Sequence, residues 1–487
     1  MDASFPVDTA VLLGGVLLVA GVFGNALTSR YRVPSLLLFI GLGMLVADDG
    51  LALIRFDDAR LAQNIAAVAL AVILFEGGLT ASPRSFRQAG AQALSLATIG
   101  VVVTAGVVAL GARYLLDLDT TTAILLGAVV SSTDAAAVFA ALRDEPLPER
   151  TRSILQLESG MNDPVAVMLT VGMVEVWRSD PTVPDWLGFV AIQLVGGAVV
   201  GIGVGLAARW TIGHLSAEVL APFTVFTVAV GAISYGTSTL IGASGFLSIY
   251  LTGAVLAVDR RPVRGVLTFH EGIAATAQAV LFLLLGLLVF PSELADDLGE
   301  AALLTAVLVL VARPAAVHLV LAAFRVPFKE AVLVAWSGLR GAVPVVMATI
   351  PLTAGHPDGV LIFDIAFVVV LISVAIQAPT VSIVARQLQL EPGPSAAVTL
   401  ELVPLDALDA DVAELTIREG AGVLGVPLRR VPLPDESRIV VVTRGDRTFV
   451  PDGETELEVD DRLLVVVPQH ADLAHLETWC AATSPDD

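Results

Sequence analysis

The chain of 487 residues is 56% hydrophobic and only 15% charged, a balance that argues against a soluble globular protein. Its net charge is −21, and its acidic C-terminal tail argues against nucleic-acid binding, because phosphate backbones attract basic surfaces. The single cysteine, Cys480, excludes an intrachain disulfide and a cysteine-rich metal site.

Apolar segments recur almost without interruption from residue 8 to residue 387, and most are long enough to cross a hydrocarbon core about 30 Å thick. Two of them are short, so twelve or fourteen helices are alternatives to the thirteen that we count. The pattern predicts an all-α polytopic membrane protein of about thirteen transmembrane helices, at residues 8–28, 34–48, 61–80, 93–115, 120–142, 154–176, 187–210, 219–238, 243–258, 268–290, 300–323, 329–351 and 361–386.

The loops between these segments differ in basic residues. With thirteen helices and an external N-terminus, the external loops hold only four arginines, Arg55, Arg60, Arg113 and Arg178, and all other loop arginines and lysines are internal. Basic residues concentrate in cytoplasmic loops of membrane proteins. We therefore expect a multi-pass protein of the cell inner membrane with its N-terminus outside and its C-terminus in the cytoplasm.

The membrane pattern stops at Leu390, and we expect three parts: a transmembrane domain at 1–390, a linker at 391–398 and a small cytoplasmic α/β domain at 399–487. Alternating or β-branched runs predict strands at 413–419, 438–445, 447–451 and 462–468, and a helix is predicted at 470–479.

This tail resembles a TrkA-C (RCK-C) domain. The resemblance lies in the order of a strand, the glycine-rich turn AGVLGVPLRR, the segment RIVVVTRGDRTFVPDGETELEVDDRLLVVV and a helix. The nucleotide-binding partner domain with a GxGxxG motif is absent. The resemblance implies a regulatory domain at 399–487 that binds a small ligand, such as a nucleotide or cyclic dinucleotide.

Several ionisable side chains fall deep within the apolar segments, where each costs several kcal/mol and therefore indicates a functional site. In QLESGMNDPVAV (156–167), Glu158 lies one helical turn from Asn162, and Ser159 lies one turn from Asp163. All four side chains share one face, which suggests an ion or proton path. The remaining deep charges are Glu76, Asp134, Arg313 and Arg340.

Two segments predict helices interrupted near the membrane midplane. SSTD (131–134) places four polar residues together, and GLRGAVP (338–344) holds two glycines and a proline. Paired interruptions indicate an inverted repeat with the site at the crossing of the broken helices. The alternatives are hydroxyls that bond back within an intact helix at SSTD, and a simple proline kink at GLRGAVP.

These motifs together resemble the NhaP/NHE branch (CPA1) of monovalent cation:proton antiporters over residues 8–390. They are LFEGGL, SSTDAAAV, LESGMNDPVAV, an arginine in LVARP, and WSGLRGAVP, in that order. The resemblance implies an NhaA-like antiporter fold, an inverted repeat and a homodimer. Each protomer would combine a dimerisation scaffold with a moving six-helix core.

Matched residue by residue, the resemblance implies a role for each of these polar residues. Asn162 followed by an aspartate implies electroneutral exchange of one cation per proton. A structural ion pair would join Glu158 to Arg313, and Arg340 would balance charge at the crossing, outside the ion shell. The cation and proton site would comprise Asp163, Asp134, Ser159, the Thr133 carbonyl, Glu76 and Asn162.

The function expected is exchange of a monovalent cation for H⁺, with K⁺ favoured over Na⁺ because a TrkA-C tail accompanies potassium handling among relatives. Neither a cofactor nor an enzymatic activity is implied. A potassium channel with the same kind of tail is the alternative, but its TVGYG filter is absent. A membrane hydrolase would need a motif such as HExxH or GxSxG, and neither occurs.

Overall fold

The structure is a computed structural model of the chain. It divides into two compact units, Met1–Glu391 and Pro392–Asp487. Most of the predicted helix at 8–28, the linker up to residue 397 and the predicted helix at 470–479 lie outside the described residues. Those described are 14–16, 18–19, 21, 35–47, 49–54, 56, 58–142, 147–179, 181–214, 223–257, 263–390, 398–405, 410–417, 421–430, 433, 437–445 and 447–468.

The first unit is helical throughout its described elements. The helices are α1 (Ser35–Val46), α2 (Ala59–Thr80), α3 (Pro83–Leu115), α4 (Thr120–Val129), α5 (Ala135–Ala141), α6 (Glu149–Ser179), α7 (Val183–His214), α8 (Phe223–Leu240), α9 (Gly245–Leu256), α10 (Val263–Leu288), α11 (Pro291–Val307 continuing to Arg313–Ala323), α12 (Phe328–Trp336), α13 (Val343–Ala354) and α14 (Gly359–Leu388).

By length and composition, seven of the described helices can cross a membrane, and four shorter ones are also apolar. The protein is therefore a helical, polytopic membrane protein. The seven long helices overlap predicted segments, although α3 begins ten residues before its predicted start at residue 93. Exposed leucine, isoleucine and valine side chains are numerous on α7 and α8, as expected of helices that face lipid.

The helices form two closely packed groups. In one, α9 packs against α2, α7 and α8, and α10 packs against α1 and α2. In the other, α3 packs against α4 and α6, and α14 packs against α11 and α13. The α2–α9 contact is close because Gly78 and Gly253 face each other: a Cβ on either would overlap the backbone of the other helix.

Both predicted helix interruptions are present. The predicted helix 120–142 is split into α4 and α5 around residues 130–134, and the predicted helix 329–351 is split into α12 and α13 around residues 337–342. Ser131 does donate a hydrogen bond back to the Ala128 carbonyl, at 2.7 Å, as the alternative proposed. The chain nevertheless leaves the helical path after Val130.

Four of the described helices contain a single π-helical turn, at Leu96–Gly100, Ile192–Gly196, Leu308–Ala312 and Ser373–Gln377. The π-helical turn in α3 packs against α11, and the turn in α11 packs against α3. Turns of this kind occur frequently at functional sites because they change the direction of the side chains that follow them. Here Arg313 comes directly after the turn in α11.

The second unit contains a five-stranded antiparallel sheet with the order β1-β2-β5-β3-β4. The strand β1, which begins at the end of the predicted linker, was not predicted. Buried side chains from β2, β3 and β5, including Leu415, Val442 and Val465, form the core of this unit. The strands are β1 (Val398–Leu405), β2 (Ala410–Ile417), β3 (Arg438–Arg444), β4 (Arg447–Phe449) and β5 (Arg462–Pro468).

Candidate functional site

The two interrupted helices meet and satisfy part of each other's free backbone. The Asp134 amide donates to the Leu339 carbonyl at 2.8 Å. Arg340 Nη1 donates to the carbonyls of Ser131, at 3.0 Å, and Ser132, at 2.5 Å. Backbone groups that leave a helix within a membrane need such partners. The structure therefore places Arg340 at the crossing, where its charge neutralises the negative C-terminal end of α4.

Asp134 lies in the same crossing. Its carboxylate packs directly against Gly341, where any Cβ would overlap it, and its Oδ1 accepts a weak hydrogen bond from the Ala137 amide at 3.4 Å. The first residues of α5 thus hold Asp134 in place, because an N-terminal helix end favours a negative side chain.

Helix α6 brings its polar face to the broken helix. Ser159 Oγ donates to the Thr133 carbonyl at 2.9 Å, and Asn162 Nδ2 donates to the Thr133 hydroxyl at 2.6 Å. The three-residue spacing on α6 puts both donors on one side of the helix. The sequence-predicted residues Ser159, Asn162 and Thr133 are therefore in contact.

Asp163 follows on the same helix and is only 6% exposed. Its carboxylate is within electrostatic range of Asp134 and Arg340. The Ser132 hydroxyl lies near the Asp163 carboxylate and interacts with it, but among the described residues no group makes a hydrogen bond of normal geometry to Asp163 Oδ1 or to Asn162 Oδ1. Buried polar atoms are normally satisfied. Oxygen atoms from carboxylate, amide and hydroxyl groups are ligands for a hard cation or for water.

Glu76, the remaining predicted site residue, lies on α2. Its carboxylate is within electrostatic range of Glu271 on α10.

Glu158 and Arg313 form a buried ion pair between α6 and α11. Arg313 Nη1 is 2.5 Å from Glu158 Oε1, and Nη2 is 2.9 Å from Oε2. Arg313 Nη2 also reaches the Val334 carbonyl at the end of α12, at 3.4 Å. The pair thus links three helices beside the crossing.

Two residues at the crossing, Ser373 and Gln377, are not among the predicted site residues. Ser373 Oγ accepts a hydrogen bond from the Arg340 amide at 3.0 Å and donates to Gln377 Oε1 at 2.6 Å. Gln377 Nε2 in turn donates to the Trp336 carbonyl, at 3.1 Å. Gln377 therefore bonds to the neighbouring backbone at the end of α12. The sequence does contain a signal for them, because Ser373 and Gln377 are two polar residues four positions apart in a largely apolar segment.

Two known domain families match this chain. The transmembrane domain of the sodium/hydrogen exchangers matches residues 15–387, and the TrkA-C domain matches residues 412–479. The K(+)/H(+) antiporter NhaP of Alkalimonas amylolytica is 37% identical over 98% of this chain and 84% of its own length. NhaP2 of Shewanella baltica is also 37% identical, over 96% of this chain and 82% of its own.

The fold is also that of a solved structure. The sodium proton antiporter MjNhaP1 of Methanocaldococcus jannaschii superimposes with a TM-score of 0.68 at 22% identity, over 78% of this chain and 98% of that one. Together with the full-length similarity to the curated antiporters, this establishes the class. The chain belongs to the sodium/hydrogen exchanger family and is a membrane cation:proton antiporter, not an enzyme, with a C-terminal TrkA-C domain.

Proposed function

We propose that the protein exchanges K⁺ for H⁺ across the cell inner membrane. The support is that the relatives named K(+)/H(+) antiporters match nearly the whole chain, tail included, whereas the structural neighbour named a sodium proton antiporter is only 22% identical. Na⁺ is the second candidate, since both ions take oxygen ligands.

The observation that carries the transport mechanism is Asp163, a buried carboxylate beside the hydroxyl and carbonyl groups of the crossing. Within the part of the chain that the structure describes, no group makes a hydrogen bond of normal geometry to its Oδ1. A carboxylate in such a place binds either a proton or a cation, and a nearby cation favours its ionised form. Binding the cation therefore expels the proton, and this competition couples the two fluxes. In the proposal, the residues that complete the cation site are Asp134, Ser159, Asn162, Glu76 and the Thr133 carbonyl.

The remaining features of the proposal follow the family resemblance. Asn162 in place of an acid makes the exchange electroneutral. The protein works as a homodimer with inverted repeats, in which the helix group around α9 and α10 is the scaffold and the group around α6 and α14 moves. The N-terminus is external. Domain limits are 1–390, a linker at 391–398, and a cytoplasmic domain at 399–487 that binds a nucleotide or cyclic dinucleotide.

The decisive experiment is proton flux in proteoliposomes that contain a pH-sensitive dye. We expect Asp163→Asn to abolish K⁺-driven proton movement while its thermal unfolding in detergent stays close to that of the wild type. The control is Glu175→Gln, which neutralises an exposed acid on the same helix and should leave the flux unchanged. Flux that persists in Asp163→Asn contradicts the assignment.

The same vesicles decide the ion and the regulation. Comparing K⁺, Na⁺ and Li⁺ at several pH values gives the selectivity, and a higher KM for K⁺ than for Na⁺ overturns the preference for K⁺. An electrical current without proton movement identifies a channel. Addition of ATP or of a cyclic dinucleotide to the cytoplasmic face of the full-length protein should change the maximal rate, because a ligand that prefers one conformer shifts the equilibrium.

A further inference from the structure

Tyr250, on α9, is one of the largest fully buried side chains of the protein, at 1% exposure. Its ring packs directly on Gly160 of α6: a Cβ at position 160 would lie 3.0 Å from Tyr250 Oη and closer still to the ring. Its backbone carbonyl packs against Gly78 of α2. Tyr250 therefore touches both the helix that carries Asp163 and the helix that carries Glu76.

The hydroxyl group of Tyr250 is buried and has no hydrogen-bond partner among the described residues. A buried tyrosine hydroxyl normally has one. Its neighbours on α9 show the usual behaviour: Ser248 bonds to Ser234 at 2.6 Å, and Thr252 donates to the Gly201 carbonyl at 2.9 Å. Packing alone does not explain a phenol here, since phenylalanine would fill the same volume without an unsatisfied polar atom.

Other oxygens that lack their usual partner lie on the same side of α6. Pro164 is inside this helix and has no N–H to donate to the Gly160 carbonyl four residues earlier. Asp163 follows Gly160 by three residues, so it lies on the same helical face, and no described group makes a hydrogen bond to its Oδ1. The Tyr250 hydroxyl thus faces a segment of α6 that is rich in oxygens available to a ligand.

We propose that Tyr250 is a further residue of the cation path, and that its hydroxyl binds a water molecule of the cation's hydration shell beside Asp163. A phenol both donates and accepts hydrogen bonds, so it can hold a water that coordinates the ion. Tyr250 is suited to this because α9 is packed closely on α2 through Gly78 and Gly253, which fixes the hydroxyl in place. The inference rests on the proposed cation site at Asp163.

The test is Tyr250→Phe, which keeps the ring and removes only the hydroxyl. In proteoliposomes we expect the KM for the cation to rise about threefold to tenfold, the effect of one hydrogen bond, with the maximal rate retained. The rise in unfolding temperature that the cation causes in detergent should shrink to the same extent. The matched control is Tyr235→Phe on α8, whose half-buried ring packs against Phe246 and whose KM should stay unchanged.

A lower unfolding temperature with an unchanged KM shows that the hydroxyl serves only packing, and overturns the proposal. If Tyr250→Phe does not purify as a folded protein, Gly160→Ala tests the same contact from α6, because its Cβ displaces the ring; an unchanged KM there is equally decisive. If Asp163→Asn abolishes the exchange but Tyr250→Phe leaves it unchanged, the inference about Tyr250 is wrong and the proposed function still holds.

Discussion

Arg313 on α11 donates two hydrogen bonds to Glu158 on α6, and both side chains are almost completely buried, at 4% and 1% exposure. Removing one partner of such a pair leaves an uncompensated charge in the interior, which costs about 3–5 kcal/mol. We therefore expect Arg313→Gln to lower the thermal unfolding temperature of the detergent-solubilised protein strongly.

The control for this variant is the ion pair between Arg429 and Glu454 in the C-terminal unit, in which both side chains are more than half exposed. Exposed pairs contribute about 0–1 kcal/mol, so Glu454→Gln should leave the unfolding temperature nearly unchanged. Equal effects of the two variants would show that the Glu158–Arg313 pair does not brace the helices.

Ser159 sets the position of the Thr133 carbonyl through a buried hydrogen bond of 2.9 Å. Ser159→Ala removes this bond and an oxygen of the proposed site, so we expect the KM for the cation in proteoliposomes to rise about tenfold. Thr170→Val is the matched control, because Thr170 is buried on the same helix and its hydroxyl has no partner among the described residues. A similar KM change in both variants would contradict a specific role for Ser159.

The sequence alone predicts the interrupted helices, because four consecutive polar residues at SSTD and the two glycines and proline of GLRGAVP each disfavour a continuous helix. Helical spacing likewise predicts that Ser159 and Asn162 share a face, and both do contact Thr133. The partner of Glu158, by contrast, was reached only through the family resemblance. Spacing within one helix says nothing about which residue of another helix lies opposite.

The features that the sequence does not predict likewise depend on contacts between elements or on local backbone geometry. The π-helical turn at Ser373–Gln377 changes the helix register, so the contact of Ser373 with Arg340 could not be inferred from regular helical spacing. Strand β1 contains Pro404 and forms an edge of the sheet, a place where proline is tolerated but which weakens the strand pattern.

Gly341 allows the Asp134 carboxylate to approach the backbone of the second interrupted helix, and an added Cβ would overlap the carboxylate. We expect Gly341→Ala to displace Asp134 and reduce the maximal exchange rate by at least about tenfold, since small misplacements of site residues have effects of this size. Gly236→Ala on α8 is the control, because nothing lies within 4 Å of its Cβ position. Full activity of Gly341→Ala would show that exchange does not require the close approach of the Asp134 carboxylate to residue 341.

Asp119 caps the N-terminus of α4. Its ionisation makes the stability of the fold depend on pH at a position outside the proposed ion path. Its carboxylate accepts hydrogen bonds from the Thr121 amide, at 2.9 Å, and from the Thr122 amide, at 3.2 Å, as well as from the Thr122 hydroxyl. Desolvation alone would raise the pKa of Asp119, but these hydrogen bonds and the charge of His356 together hold that pKa below its usual value.

A lowered carboxylate pKa stabilises the fold above the pKa of the unfolded chain, and this stabilisation is lost as the pH falls through the folded-state pKa. We therefore expect Asp119→Ala to lower the unfolding temperature at pH 7, by an amount that corresponds to about 1 kcal/mol for a lost helix cap. The difference from the wild type should begin to shrink as the pH falls below the usual pKa of an aspartate, about 3.9, and should vanish only below the lower pKa of the folded state. Glu300→Ala, which removes an exposed carboxylate on α11, should show neither effect. A difference for Asp119→Ala that does not shrink below about pH 3.9 would mean that the hydrogen bonds do not depend on the ionised carboxylate.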